Sequence, residues 1–164
     1  MSDAPRNDDA RFADGDPGLP LALRAETADD LNILSALVQD AVINMTDIAH
    51  DAKGRRLSLL VTRVRWEDTD AAKQEGRPFE RVRSVLSVSD ALRVQSDGID
   101  RKDADTVLSL LGLTWTPGDD GTGRLVLTFA GDGAIAVDAE CLSVDLRDVT
   151  RPHVAVSGKL PTHD

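Results

Sequence analysis

Residues 27–42 (TADDLNILSALVQDAV) constrain the fold most, because only this stretch has apolar residues clearly spaced as on a helix. These residues form one broad face: Leu31, Ile33, Leu34, Leu37, Val38, Ala41 and Val42. Thr27 is placed to cap the helix, since its hydroxyl can accept a backbone N–H one turn later. A broad apolar face needs a surface to cover, so we expect this helix to pack on a sheet.

The sequence after residue 42 alternates between apolar and polar residues, as β-strands do. Strands are predicted at 43–50, 55–66, 79–89, 91–99, 124–130 and 134–141, with turns at 51–54 and 131–133. Residues 19–24 could add an edge strand, and 67–78 are expected to be a loop. Periodicity leaves 104–116 and 142–149 open between helix and strand.

The predicted fold class is therefore α+β. We expect a curved antiparallel sheet of about seven strands, barrel-like or a sandwich, with one N-terminal amphipathic helix packed on it. Residues 19–149 would form the single domain. Residues 1–18, which contain five Asp and few apolar residues, are expected to be a disordered acidic tail, and 150–164 a loose C-terminal tail.

Composition favours a cytoplasmic protein without a membrane segment. The sequence has no apolar run of 18 residues and no secretory signal, and its single cysteine cannot form an intramolecular disulfide. Aromatic residues make up only 3% of the chain, which disfavours sites that stack nucleic-acid bases.

No group of residues has the composition of a catalytic or metal centre. Cys141 is expected to be a small core residue, and His50 a surface residue beside a turn. Glu140 lies on the polar side of its strand, so it and His50 are the best candidates if the protein is an enzyme. The acidic turn at 118–121 lacks the downstream Glu of a calcium loop, so no metal and no cofactor is expected.

Several long segments resemble one family. They are LSALVQDAV (34–42), DIA (47–49), RVRWED (63–68), ERVRSVL (80–86), LRVQSDGID (92–100), LSLLGLTWTPGD (108–119) and LTFAGDGAIAV (127–137). Together they resemble a small alphaproteobacterial family catalogued as a domain of unknown function, over about residues 20–148. The resemblance implies no activity and no catalytic residues.

Arginines are the sharpest remaining signal. Residues 53–102 contain 12 Lys and Arg against 8 Asp and Glu, a net +4, whereas the rest of the chain has 7 against 21, a net −14. If the three strands between 55 and 99 are neighbours, one face would carry Arg63, Arg65, Arg81, Arg83 and Arg93.

Grouped guanidinium groups suit carboxylate or phosphate partners. The sequence therefore favours a non-enzymatic binding or protein-interaction module whose partner is a protein or a small anionic ligand. The alternatives are a small enzyme acting on an anionic substrate and a nucleic-acid-associated protein, although the net charge of −10 disfavours nucleic acid. Residues 1–18 could also occupy the basic face until a partner displaces them.

Overall fold

A computed structural model describes residues 19–154. This part of the chain contains eleven strands, two short α-helices and three 3-10 turns. The strands are β1 (Ala22–Ala25), β2 (Val42–Asn44), β3 (Ile48–Asp51), β4 (Arg56–Val64), β5 (Glu80–Val88), β6 (Ala91–Asp97), β7 (Val107–Pro117), β8 (Gly123–Phe129), β9 (Ala134–Ala139), β10 (Val144–Asp148) and β11 (His153–Val154). The helices are α1 (Ala28–Leu37) and α2 (Thr69–Glu75), and the 3-10 turns span Met45–Asp47, Trp66–Asp68 and Asp119–Gly121.

All the strands belong to one open antiparallel sheet, in the order β1-β10-β5-β4-β2-β7-β8-β9-β6, with β3 beside β4 and β11 beside β5. The short strand β2 joins two halves, pairing with β4 through Val42 and Thr62 and with β7 through three residues. We call β1, β10, β5 and β4 the charged half, and β7, β8, β9 and β6 the apolar half. Buried side chains of both halves form a single core.

This architecture corrects the predicted fold class. The sheet has eleven strands instead of about seven, and it is open, since β1 and β6 each have a neighbour on one side only. An N-terminal amphipathic helix on about seven strands does not describe the molecule, because residues 19–154 contain two α-helices and both are short. The prediction of a sheet built from antiparallel strands is confirmed.

The helix predicted from the apolar pattern of residues 27–42 spans only Ala28–Leu37. Thr27 caps it as expected, accepting a hydrogen bond from the backbone N–H of Asp30, 3.1 Å from the hydroxyl. The helix ends at Leu37 because Asp40 has a positive φ of 65° and donates its N–H to Leu110 O in β7. That bond turns the chain into β2, so the apolar residues Val38 and Ala41 are buried in a turn outside the helix.

Two other segments differ from their predictions. The expected strand 43–50 is split into β2 and β3 by the 3-10 turn at Met45–Asp47. The expected loop 67–78 contains α2, which ends at Gly76 with a φ of 68°, a left-handed conformation that favours glycine. Its short length and polar sequence (TDAAKQE) hide this helix from a search for apolar periodicity.

The ambiguous segments are both strands. Residues 107–117 form β7, the longest strand, and 144–148 form β10. The hairpin of β8 and β9 is confirmed, with Leu127 opposite Ile135 and Leu125 opposite Val137. β1 is confirmed as an edge strand, paired with β10 alone.

The predicted terminal tails lie almost entirely outside the described residues. The acidic segment 1–18 and residues 155–164 are not described. Within the segment 150–164, His153 and Val154 form β11 against β5.

Candidate functional site

The five arginines predicted to share one face do not lie together. Arg63 is fully buried, and Arg65 is 2% exposed. Arg63 is opposite Val82 in the pairing of β4 with β5, whereas Arg81 and Arg83 are opposite Val64 and Thr62. Directly opposed residues point to the same side of a sheet, so Arg63 faces the core while Arg81 and Arg83 face outward.

Arg63 is the centre of a polar cluster, which we call the Arg63 cluster: the buried residues Arg63, Ser84 and Asp148, and the more exposed Glu67. Its two terminal nitrogens donate to Glu67 at 2.9 and 2.8 Å, a bidentate pair. Nη2 also donates to Asp148 Oδ1 at 3.0 Å, and Nε donates to Ser84 Oγ at 3.2 Å. Ser84 Oγ donates to Asp148 Oδ1 at 2.7 Å, so the two carboxylates and the hydroxyl surround the guanidinium.

The cluster ties distant parts of the chain together. Asp148 Oδ2 accepts the backbone N–H of Leu21 at 2.9 Å, and Asp148 donates its own N–H to Leu21 O. The ends of β10 and the approach to β1 are thereby joined to β4 and β5. A fully buried guanidinium with this many partners is a structural group, and it has no free donor surface for a ligand.

The pKa of the Glu67 carboxyl is lowered. Burial alone would raise it, but hydrogen bonds from Arg63 and the charge of that guanidinium outweigh burial. The pKa of Arg63 is raised for the matching reason, since Glu67 and Asp148 favour its charged form despite burial. Both groups are therefore ionised in the folded protein near neutral pH.

Arg65 forms a second buried set. It pairs with Glu80 and lies 3.5 Å from Asp68, which is itself 2% exposed. Asp68 also pairs with Arg77 at 3.1 Å. These contacts connect the segment around α2 to the end of β4. Arg65, like Arg63, therefore has a structural role.

The outward side of the charged half carries a different set of arginines. Arg24 on β1, Arg147 on β10 and Arg56 on β4 line a groove of about 530 Å³, together with Val85 and Ser87 of β5 and Asp145 of β10. We call it the arginine groove. Arg24 pairs with Asp145 at 2.9 Å, whereas Arg56 and Arg147 make no ion pair within residues 19–154.

Two predicted arginines, Arg81 and Arg83, face the same side of the sheet as this groove without lining it, and Arg93 lies elsewhere. Arg83 projects from β5 on the same side as Val85 and Ser87, and its Nη2 lies 3.9 Å from Asp47 Oδ2. Arg81, two residues earlier in the same strand, points to the same side. Arg93 lies on β6 in the apolar half, opposite Asp138 of β9. Sequence reasoning missed all three arginines that line the groove, Arg24, Arg56 and Arg147. Alternation in VDLRD does place Asp145 and Arg147 on the other side of their strand from Val144 and Leu146.

A second cavity lies where the sheet fails to close. Within the described part of the chain, β3 pairs only with β4 and β6 only with β9, and a cavity of about 310 Å³ lies between β3 and β6. We call it the edge pocket. Its apolar lining consists of Met45, Ile48, Leu57, Val94, Ile99 and Ile135, and its polar lining of His50, Ser96 and Arg101.

A family model described as "Protein of unknown function (DUF2948)" matches residues 21–163. The chain belongs to this family. No curated protein and no solved structure matches it. The match begins at Leu21, so both the Arg63 cluster and the arginine groove lie inside the DUF2948 region.

The catalytic candidates of this DUF2948 member are dispersed. Cys141 is exposed, contrary to the expected core position, and its Sγ lies 3.2 Å from Asp90 Oδ2. The hydrogen bond and negative charge of Asp90 raise the pKa of the thiol, which disfavours the reactive thiolate. Glu140 pairs with Arg55 at 2.6 Å, and none of the described residues that line the edge pocket beside His50 is a carboxylate.

Between residues 19 and 154 no three His, Cys, Asp or Glu side chains are grouped to hold a metal ion. Over the same residues no helix has the length and apolar character needed to cross a membrane.

Proposed function

We propose that this protein is a binding module that recognises an anionic partner through the arginine groove. One observation carries the proposal. Among the described residues, three guanidinium groups and a single carboxylate line the groove, on a chain whose net charge is −10. Unmatched positive charge concentrated on one face of an acidic protein is an electrostatic signature of an interaction surface.

The strands fix the geometry of the groove. Arg147 is opposite Val85, and Asp145 is opposite Ser87, so β10 and β5 present these side chains on one continuous surface. Arg24 is directly opposite Asp145 on the next strand. Side chains held on a regular sheet lose less freedom when they bind than side chains on loops do, which favours recognition by this face.

An acidic protein segment is the class of partner best supported. Guanidinium groups bind carboxylates in bidentate fashion, and Arg56 and Arg147 have no carboxylate partner among residues 19–154. None of the described residues that line the groove is aromatic, so stacking of nucleic-acid bases has no platform there. Ser87 is the only hydroxyl in that lining and has no histidine beside it, so the lining supports binding over hydrolysis.

The test compares two charge-reversed variants of equal net charge. Arg56→Glu/Arg147→Glu alters the groove, and Arg93→Glu/Lys102→Glu alters exposed positions at and just beyond β6. Binding of a fluorescein-labelled glutamate-rich peptide is followed by anisotropy at low salt. We expect the groove variant to bind at least about tenfold more weakly than the parent and the control variant to bind within about twofold.

Equal weakening in both variants would show that the peptide senses only total charge, and the proposal would be wrong. Binding by the parent should also weaken as salt rises, since exposed charges are screened within about 8–10 Å at physiological ionic strength. Cross-linking in a lysate of the native host, performed with both variants, then identifies partners that the parent and control capture and the groove variant does not.

A further inference from the structure

The edge pocket continues the protein core out to the surface. Ile48 and His50 of β3 lie opposite Leu59 and Leu57 of β4, whose side chains are buried. His50 therefore occupies a core-facing position, although it is exposed. Its position shows that the core is open at this point.

The opposite wall has the same character. Val94 and Ser96 of β6 lie opposite Val137 and Ile135 of β9, which are 0% and 5% exposed. Ser96 is thus a second polar side chain on a core-facing position. Since no strand formed by residues 19–154 fills the space between β3 and β6, these inward positions line a cavity instead of a closed core.

The pocket has an apolar interior and a polar, cationic mouth. Leu57 and Ile135 are buried, whereas Met45, Ile48, Val94 and Ile99 are partly buried and pack against the core. Arg101 lies at the mouth, where its Nη1 is 3.5 Å from Ser96 Oγ. Arg101 makes no ion pair with any residue from 19 to 154, so its charge is available to a ligand.

We propose that the edge pocket binds a small amphipathic anion, with its apolar tail in the cavity and its carboxylate at Arg101. A cavity of about 310 Å³ is at the lower end of the range for small-molecule sites, roughly 300–1,000 Å³. A mostly apolar lining with a few convergent polar groups is typical of such sites. Ser96 and His50 supply further hydrogen-bonding groups beside the carboxylate.

This ligand differs from the partner of the arginine groove, and the two sites are separate. Leu57 faces the edge pocket and Arg56, its neighbour in β4, lines the groove, because successive residues of a strand point to opposite sides. A variant that abolishes one activity should therefore leave the other intact.

The experiment titrates the full chain with decanoate below its micelle concentration and with decanol at matched concentration, followed by ¹⁵N and methyl NMR. We expect decanoate to shift resonances of the pocket residues Ile48, Val94, Ile99 and Ile135. Ile99→Trp fills the cavity and should abolish binding of both compounds. Arg101→Gln should weaken decanoate about fivefold to tenfold and leave decanol unchanged, since only the carboxylate needs the charge.

Lys102→Gln is the matched control, because it removes the same charge one residue away without lining the pocket. Retained binding in Ile99→Trp, or equal losses in Arg101→Gln and Lys102→Gln, would overturn the proposal. Resonance shifts confined to the free edge of β6 or to the arginine groove would also overturn the proposal, because neither would place the ligand in the edge pocket. Arg56→Glu/Arg147→Glu should bind decanoate as the parent does, so failure at one site is distinguishable from failure at the other.

Discussion

The charged half and the apolar half use the same strand geometry but fill their inner sides differently. The inner sides of β7, β8 and β9 carry only apolar side chains, among them Leu113, Leu127, Phe129 and Val137. The inner side of the charged half contains Arg63, Ser84 and Asp148. Among the described residues, every buried polar or charged side chain lies outside β6, β7, β8 and β9.

This difference separates two ways of holding a sheet. Apolar contacts are non-directional, so they stabilise the apolar half without fixing which groups must meet. The Arg63 cluster needs particular donors and acceptors at hydrogen-bond distance, so it specifies how β1, β10, β5 and β4 align. A buried ion pair does not by itself show added stability. Removing only one of its two partners lowers the free energy of unfolding strongly, however, because the other charge then remains buried without a partner.

The largest effect is expected when that partner is removed. Arg63→Met keeps a long apolar side chain but leaves Glu67 and Asp148 without their cation, and it should cost about 3–5 kcal/mol of unfolding free energy. Denaturant unfolding measures the loss. Arg93→Met is the control at an exposed position and should change stability by less than about 0.5 kcal/mol. A loss below about 1 kcal/mol for Arg63→Met would show that the cluster does not hold the charged half.

Helix α1 should show a slightly smaller effect that concerns both halves, because it packs against β1 and β7. Leu34 is 1% exposed and Ile33 is 60% exposed on the same helix. Leu34→Ala should cost about 2–5 kcal/mol, whereas Ile33→Ala should cost less than about 0.5 kcal/mol. Similar losses in thermal or denaturant melts of the two variants would mean that the helix does not bridge the halves through its buried face.

The halves should also differ in their response to pH. The folded-state pKa of Glu67 is lowered, so its contribution to stability is present above the unfolded pKa of about 4.3 and is lost as pH falls through the folded value. The stability difference between the parent and Glu67→Gln should therefore be largest at pH 7 and shrink in acid. Leu127→Ala, in the apolar half, should show a constant difference in the same series of unfolding measurements.

The smallest predicted effect is at the cap of α1. Thr27→Ala removes the acceptor for the Asp30 N–H and should cost about 1 kcal/mol. Thr27→Ser keeps the hydroxyl and should recover most of that loss. If both variants melt like the parent, packing of α1 between the halves determines its stability and the cap is dispensable.

Sequence reasoning succeeded best in the β8–β9 hairpin. In β8 and β9 each inward residue is apolar and half of the outward residues are polar, so alternation predicts the strands and the side that each residue faces. It failed at Arg63, where the rule that charged residues face water assigns the wrong side. Arg63 occupies the next position after Leu57, Leu59 and Val61 on the inner side of β4. This regular alternation was the signal in the sequence that could have predicted a buried Arg63.

The sequence alone determined the cap at Thr27, the β8–β9 hairpin and the strand character of β4, β5 and β6, because these depend on residues close in the chain. Tertiary structure decided the rest. Arg63 meets Asp148 across 85 positions, and Leu21 meets it across 127. Such pairings depend on the strand order, which local patterns do not encode. The arginine groove and the edge pocket also depend on the strand order. The groove forms because β1, β10, β5 and β4 are neighbours, and the pocket forms because β3 and β6 do not pair.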